Sequence, residues 1–171
     1  MSPFQPRVLQ GYFAGGRPLP RLPAPTPGPS AWAQAAQKKP GSSSSNGNAF
    51  ALPQTFNLPS GAGRAIPDTV RQKMEGFFKT DFSQVRVHVG PEAPAIGALA
   101  FTVGNTIVFA PGQYSPDTPR GQQLLGHELA HVVQQRAGRV RNPFGSGLAV
   151  VQDMSLEAEA DRLGMRAAFG R

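Results

Sequence analysis

The chain has 171 residues, no cysteine and a formal net charge of +7, which excludes a disulfide framework, a thiolate nucleophile and a cysteine-ligated metal. No apolar run reaches the length of a membrane span, and the opening MSPFQPRVLQGYFAGGRPLP lacks the continuous apolar stretch of a secretory signal. The charge is uneven: residues 1–50 carry Arg7, Arg17, Arg21, Lys38 and Lys39 with no acid, while residues 51–171 carry 12 basic and 10 acidic residues.

Nine of the 18 prolines fall in residues 1–50, and QKKPGSSSSNGN has the composition of a flexible linker. Such segments bury too little apolar surface to offset their ordering entropy. The expectation is a proline-rich, basic, low-complexity tail and linker over residues 1–63, disordered up to about residue 50 and loosely held from Ala49 to Gly63. It could dock on an acidic protein surface, but it lacks the aromatic–basic pattern of a base-stacking surface, so nucleic acid is not an expected partner. The compact domain is expected over residues 64–171.

Within it, Asp68 can cap a helix through about Lys79 that stripes Val70, Met74, Phe77 and Phe78. QVRVHV (84–89) alternates like a strand, with Val85, Val87 and Val89 on one face and Arg86 and His88 on the other. ALAFTVGNTIVFA (98–110) reads as two strands around a Gly104–Asn105 turn. A long helix follows, with Thr118 at the N-cap, Pro119 at the first position and Gly138 at the exit. Residues 139–154 read as a connector with a short apolar piece, LAVV, and Ser155 as the cap of a last helix ending near Gly170.

The long helix contains LLGHELAHVVQQRAG (124–138). At about 100° per residue, His127 and His131 stack on one face, and Glu128 lies about 60° from His131 at its border. Two imidazoles at this spacing can share one Zn²⁺, with Glu128 placed to act on a water. A catalytic zinc needs a third protein ligand and an open position. The glycine and histidine of the extended His-Glu-x-x-His-x-x-Gly-x-x-His pattern are replaced by Gln134 and Ala137, which leaves a downstream carboxylate or His88. SLEAEADR offers Glu157 and Asp161 four apart on one face, with Glu159 turned elsewhere; Asp161 or Glu159 as ligand remain alternatives.

Glu157 as ligand with Asp161 one turn later resembles the thermolysin-like pattern of the gluzincins. There the aspartate orients a ligand histidine through its other ring nitrogen. The succession VRVH, ALAFTVGNTIVFAPGQYSP, LLGHELAHVVQQ and LEAEAD resembles, over roughly residues 64–168, the core domain associated with extracellular contractile injection systems, phage-tail-like secretion machines. The resemblance implies an α+β fold: a small gluzincin-like metallopeptidase domain with a short antiparallel sheet packed on the HExxH helix and a C-terminal ligand helix. It also implies Zn²⁺ held by His127, His131 and Glu157, with Asp161 behind them.

In such a site Glu128 is the general base, and Tyr114 or His88 is a candidate for stabilising the oxyanion. The substrate would be a protein or peptide: an effector, a machine component or the chain's own tail. Made in the cytoplasm, the chain could be loaded into and exported by the injection system. The competing expectation is a non-catalytic cargo or adaptor protein that binds injection-system components through its tail, with a structural metal whose fourth position His88 could close.

Overall fold

The computed structural model of the protein describes residues 7–13, 47–144 and 147–170. In chain order they form β1 (Arg7–Phe13), β2 (Gly47–Ala51), α1 (Asp68–Phe78), β3 (Arg86–Val89), a single-turn α2 (Glu92–Ala95), β4 (Ala98–Val103), β5 (Thr106–Phe109), α3 (Pro119–Arg136), β6 (Leu148–Asp153) and α4 (Met154–Phe169). The strands make one six-stranded sheet in the order β2-β6-β1-β4-β5-β3. β1 runs parallel to β6 and antiparallel to β4, and β3 runs parallel to β5. The β2–β6 and β4–β5 pairs are antiparallel.

The α+β class is as expected, but the sheet is mixed and larger than the short antiparallel one anticipated. The expected disordered head also needs correction. Arg7–Phe13 is an interior strand of the sheet, and Gly47–Ala51 pairs with β6 along its whole length. The local reason is legible in RVLQGYF, a run rich in β-favouring residues. Leu9 is fully buried and Phe13 nearly so, which gives these residues enough burial to offset their ordering. The proline-rich and serine-rich stretch between the two strands lies outside the described residues, and so does the disorder expected there.

Apolar residues pack on both faces of the sheet. On one face Val85, Val87, Ala100, Ile107 and Phe109 meet Val70 and Met74 of α1 and Leu125, Leu129 and Val132 of α3. On the other, Leu9, Phe13, Phe101, Val103, Val108 and Val150 meet Ile96 after α2 and Leu52, with Phe56 and Leu58 beside them. Because β1 alternates, Leu9 and Phe13 enter the second core, which leaves Gln10 and Tyr12 for the α3 face.

The hairpin turns at Gly104–Asn105 as anticipated, with Gly104 at φ 58°. Thr118 caps α3, its hydroxyl accepting from Gly121 N–H at 3.0 Å, and Pro119 opens the helix. Gly138 ends it at φ 70°, where Gly138 N–H bonds Gln135 O and Arg139 N–H bonds Gln134 O, both at 3.1 Å. This is a Schellman closure. We expect Thr118→Ala to cost about 1 kcal/mol, read as a fall of roughly 2–4 °C in Tm.

Three boundaries differ from the sequence reading. Asp68 is the first residue of α1 rather than its cap; Pro67 holds the cap position, with no side-chain hydrogen bond to the helix. LAVV is not a connector but the body of β6, because β1 is there to pair with it. The cap of α4 is Asp153 rather than Ser155: its carboxylate accepts from Ser155 N–H at 2.9 Å and Leu156 N–H at 3.2 Å, and an anion at a helix N-terminus is the stronger acceptor. Among the described residues no helix is long and apolar enough to cross a membrane.

Candidate metal centre

α3 lies on the sheet and α4 lies on α3, so α3 is buried on nearly every side. The two helices run antiparallel: Gln123 and His127 of α3 meet Gly164 of α4, and Gln134 meets Leu156 and Glu159. Two glycines permit the close crossing. A Cβ on Gly164 would sit 2.6 Å from Gln123 O and 2.7 Å from His127 N, and one on Gly126 would sit 3.0 Å from Gly164 Cα. Backbone thus touches backbone at the crossing, and the first two turns of α4 come down over the two histidines.

This crossing unites His127, His131 and Glu157, whose ligand atoms all lie within 4.8 Å of one another. His127 Nε2 is 3.3 Å from Glu157 Oε2, and His131 Nε2 is 3.3 Å from Glu157 Oε1. The two Nε2 atoms are 3.0 Å apart. Asp161 Oδ1 lies 2.9 Å behind the first ring, at His127 Nδ1, although this contact is not aligned as a hydrogen bond. Glu159 faces elsewhere, toward Gln134 and Arg139.

His131 Nδ1 lies 2.9 Å from Gln134 Oε1. The orientation of this amide is fixed on its other side, where Gln134 Nε2 donates to Leu156 O at 3.0 Å and to Glu159 Oε2 at 2.8 Å. Oε1 must therefore accept, from His131 Nδ1–H and from Gln10 Nε2 at 3.2 Å. Both rings consequently turn Nδ1 toward an acceptor and Nε2 toward the same point. Facing lone pairs 3.0 Å apart require a proton or a cation between them.

The ionisation pattern agrees. Burial disfavours the charged form of His127, but the contacts with Asp161 and Glu157 outweigh it and raise its pKa to about 9. Burial likewise disfavours the Glu157 carboxylate, yet His127 and His131 together lower its pKa to about 2. The Oε1 atoms of Glu128 and Glu157 are buried with no hydrogen-bond partner among the described residues. Two aligned imidazoles, a carboxylate held ionised and a buried carboxylate oxygen beside them fit a divalent cation.

Glu128 is fully buried beneath this group. Burial raises its pKa, opposed by His127, His131 and Thr102. The Thr102 hydroxyl on β4 lies 2.7 Å from Glu128 Oε2, donating to it, and pins the side chain. Thr102 and Gln10 are direct cross-strand partners, both wholly buried. Together they form a polar step in the sheet under α3, with Gln10 on Gln134 and Gln135, and Thr102 on Glu128.

Of the two proposed oxyanion residues, neither joins the group. Tyr114 packs on Phe109, ring centroids 5.0 Å apart, in the first core. His88 lies on β3, two strands away from β4, with its ring beside Gly63. The tyrosine at the site is Tyr12, whose ring meets His127 edge-on at 5.0 Å. Tyr12, His127 and Asp161 line a cavity of about 660 Å³ with Arg120, Leu124 and Phe169. Sequence reading missed Tyr12 and Gln10 because the proline-rich flanks masked the strand pattern of RVLQGYF. Thr102 carries no sequence signal, since threonine is at home in any strand.

Residues 65–139 match the family profile of the eCIS core domain, which supports an association of this chain with extracellular contractile injection systems. The matched segment runs from just before α1 to the close of α3. It contains His127, Glu128 and His131 and stops short of Glu157 and Asp161, so it is shorter than the span of roughly residues 64–168 over which the sequence resembles that domain. β1 also lies outside it. No curated protein and no solved structure matches the chain.

Proposed function

We propose that the chain is a zinc-dependent peptide hydrolase of gluzincin-like design, working with a contractile injection system. The observation that carries this reading is the convergence of His127, His131 and Glu157 from two helices over a buried, half-unpaired Glu128. His127, His131 and Glu157 would hold the ion, and Asp161 and Gln134 hold the rings in register. Zinc in such a set acts as a Lewis acid on the peptide carbonyl and makes an attacking water more acidic.

The chain's own groups do the rest. Glu128 Oε1 is free to take the water's proton while Oε2 stays on Thr102. Its raised pKa suits it to return that proton to the leaving nitrogen. The Tyr12 hydroxyl, on the wall of the cavity, can donate to the carbonyl oxygen as charge builds there, the role sequence reading gave to Tyr114 or His88.

The test is elemental analysis of the purified full chain together with peptide hydrolysis. About one equivalent of zinc and chelator-sensitive cleavage are expected. Stoichiometric zinc without cleavage of any peptide points instead to a cargo or adaptor protein with a structural metal.

That competing reading cannot be tested by removing residues 1–50, because the deletion also removes β1 and most of β2. Phe13 and Gly47 lie at the same end of the sheet, on strands separated only by β6, roughly 10 Å apart by the usual strand spacing. A Gly/Ser linker of about eight residues can span that gap. We expect replacement of residues 14–46 by such a linker to leave Tm and zinc content unchanged, and deletion of residues 1–13 to abolish both the cooperative melt and zinc binding. An adaptor would lose its partner with the first change; a hydrolase would keep its turnover.

A further inference from the structure

The cavity beside the metal centre carries one charge that peptide hydrolysis does not use. His127 and Asp161, 2.9 Å apart, both line it. Arg120 lines it as well, and its guanidinium forms no ion pair or hydrogen bond among the described residues. The first turn of α3 holds no acidic residue to neutralise it. Arg120 and His127 are seven residues apart on one helix, which places them on the same face about 10 Å apart along the axis. Leu124 lies between them on the same wall. A peptide laid along this wall advances about 3.3 Å per residue.

We infer that the cavity receives a carboxylate of the substrate, held by Arg120 about three residues from the bond at the metal. The inference rests on the hydrolase reading for the position of that bond, but not for the binding itself. Arginine suits the task because its planar fork can take a carboxylate through two parallel N–H donors. The assignment also speaks against the chain's own tail as substrate, since residues 1–50 contain no aspartate or glutamate.

The experiment uses the zinc-loaded full chain and quenched fluorescent peptides. These carry Glu, Gln or Lys at each of four positions on either side of the cleaved bond, with free or amidated C-termini. A preference for Glu over Gln of about tenfold in kcat/KM is expected near the third position. Arg120→Lys should keep only part of it, Arg120→Gln should bring the ratio to near one, and Arg120→Glu should turn it toward Lys. A preference that survives amidation assigns a side-chain carboxylate; one that follows the free terminus assigns the α-carboxylate.

No acid preference at any position, or one that persists in Arg120→Gln, overturns the assignment. Fluorescence anisotropy of the same peptides on Glu128→Gln separates the two readings. Arg120-dependent binding of acidic peptides without hydrolysis by the wild type keeps the ligand site and removes the hydrolase. Absence of both removes both.

Discussion

Glu128→Gln should retain zinc and lose turnover by a factor of about 10³, within the usual range for removal of a general base. The substitution keeps the length and shape of the side chain, so an amide oxygen can still accept from Thr102 in place of Oε2. It removes only the ability of the second oxygen to hold a proton in transit. None of the three ligand atoms belongs to Glu128, so metal content should stay at the wild-type level, and Tm should move by no more than roughly 3 °C. Hydrolysis rates and elemental analysis on the same preparation check both halves. Retained turnover would show that Glu128 is not the base and leave the buried carboxylate without a chemical role. Loss of zinc would instead make it part of the ligand set, contrary to the geometry.

Gly164→Ala is expected to destabilise the protein and weaken zinc binding together. In an isolated helix this change stabilises by about 1 kcal/mol, because glycine has the larger backbone entropy to lose. Here the added methyl would lie 2.6–2.7 Å from backbone atoms of Gln123 and His127, which cannot rotate away as a side chain could. α4 must therefore back off α3, at an overpacking cost of typically 1–3 kcal/mol. Because Glu157 and Asp161 ride on the same helix, the carboxylates retreat with it and zinc affinity should fall at least about tenfold, the scale seen when a ligand's support is lost.

Gly76 in α1 provides the control. It is exposed, and a Cβ there meets nothing within 4 Å, so Gly76→Ala should raise stability by about 0.5–1 kcal/mol with zinc affinity unchanged. Thermal melts and competitive zinc titration of the two variants give the comparison. Equal behaviour would mean that the crossing is more compliant than its backbone contacts imply.

The local devices were legible in the sequence because each is set by neighbours in the chain. Thr118, Pro119 and Gly138 fix the ends of α3 through backbone valences that only adjacent side chains and a left-handed glycine can satisfy. Gly104–Asn105 fixes the hairpin in the same way. The spacing of His127 and His131, and of Glu157 and Asp161, follows from helical period alone, so each pair could be recognised as a co-facial couple before any coordinates.

What brings one pair to the other is a different kind of fact. It depends on Gly126 and Gly164 meeting across a gap of 38 positions in the chain, a contact that no periodicity announces. The same holds for Gln10, Tyr12 and Thr102. Each is an ordinary residue in a short strand: Gln10 and Tyr12 acquire a role only because β1 enters the sheet beside β4, under α3, and Thr102 only because α3 lays Glu128 on β4. Sequence composition, dominated by the prolines and serines that follow, argued against any structure there. The outcome was decided by long-range pairing and by burial of Leu9 and Phe13, energies that belong to the assembled sheet rather than to the segment.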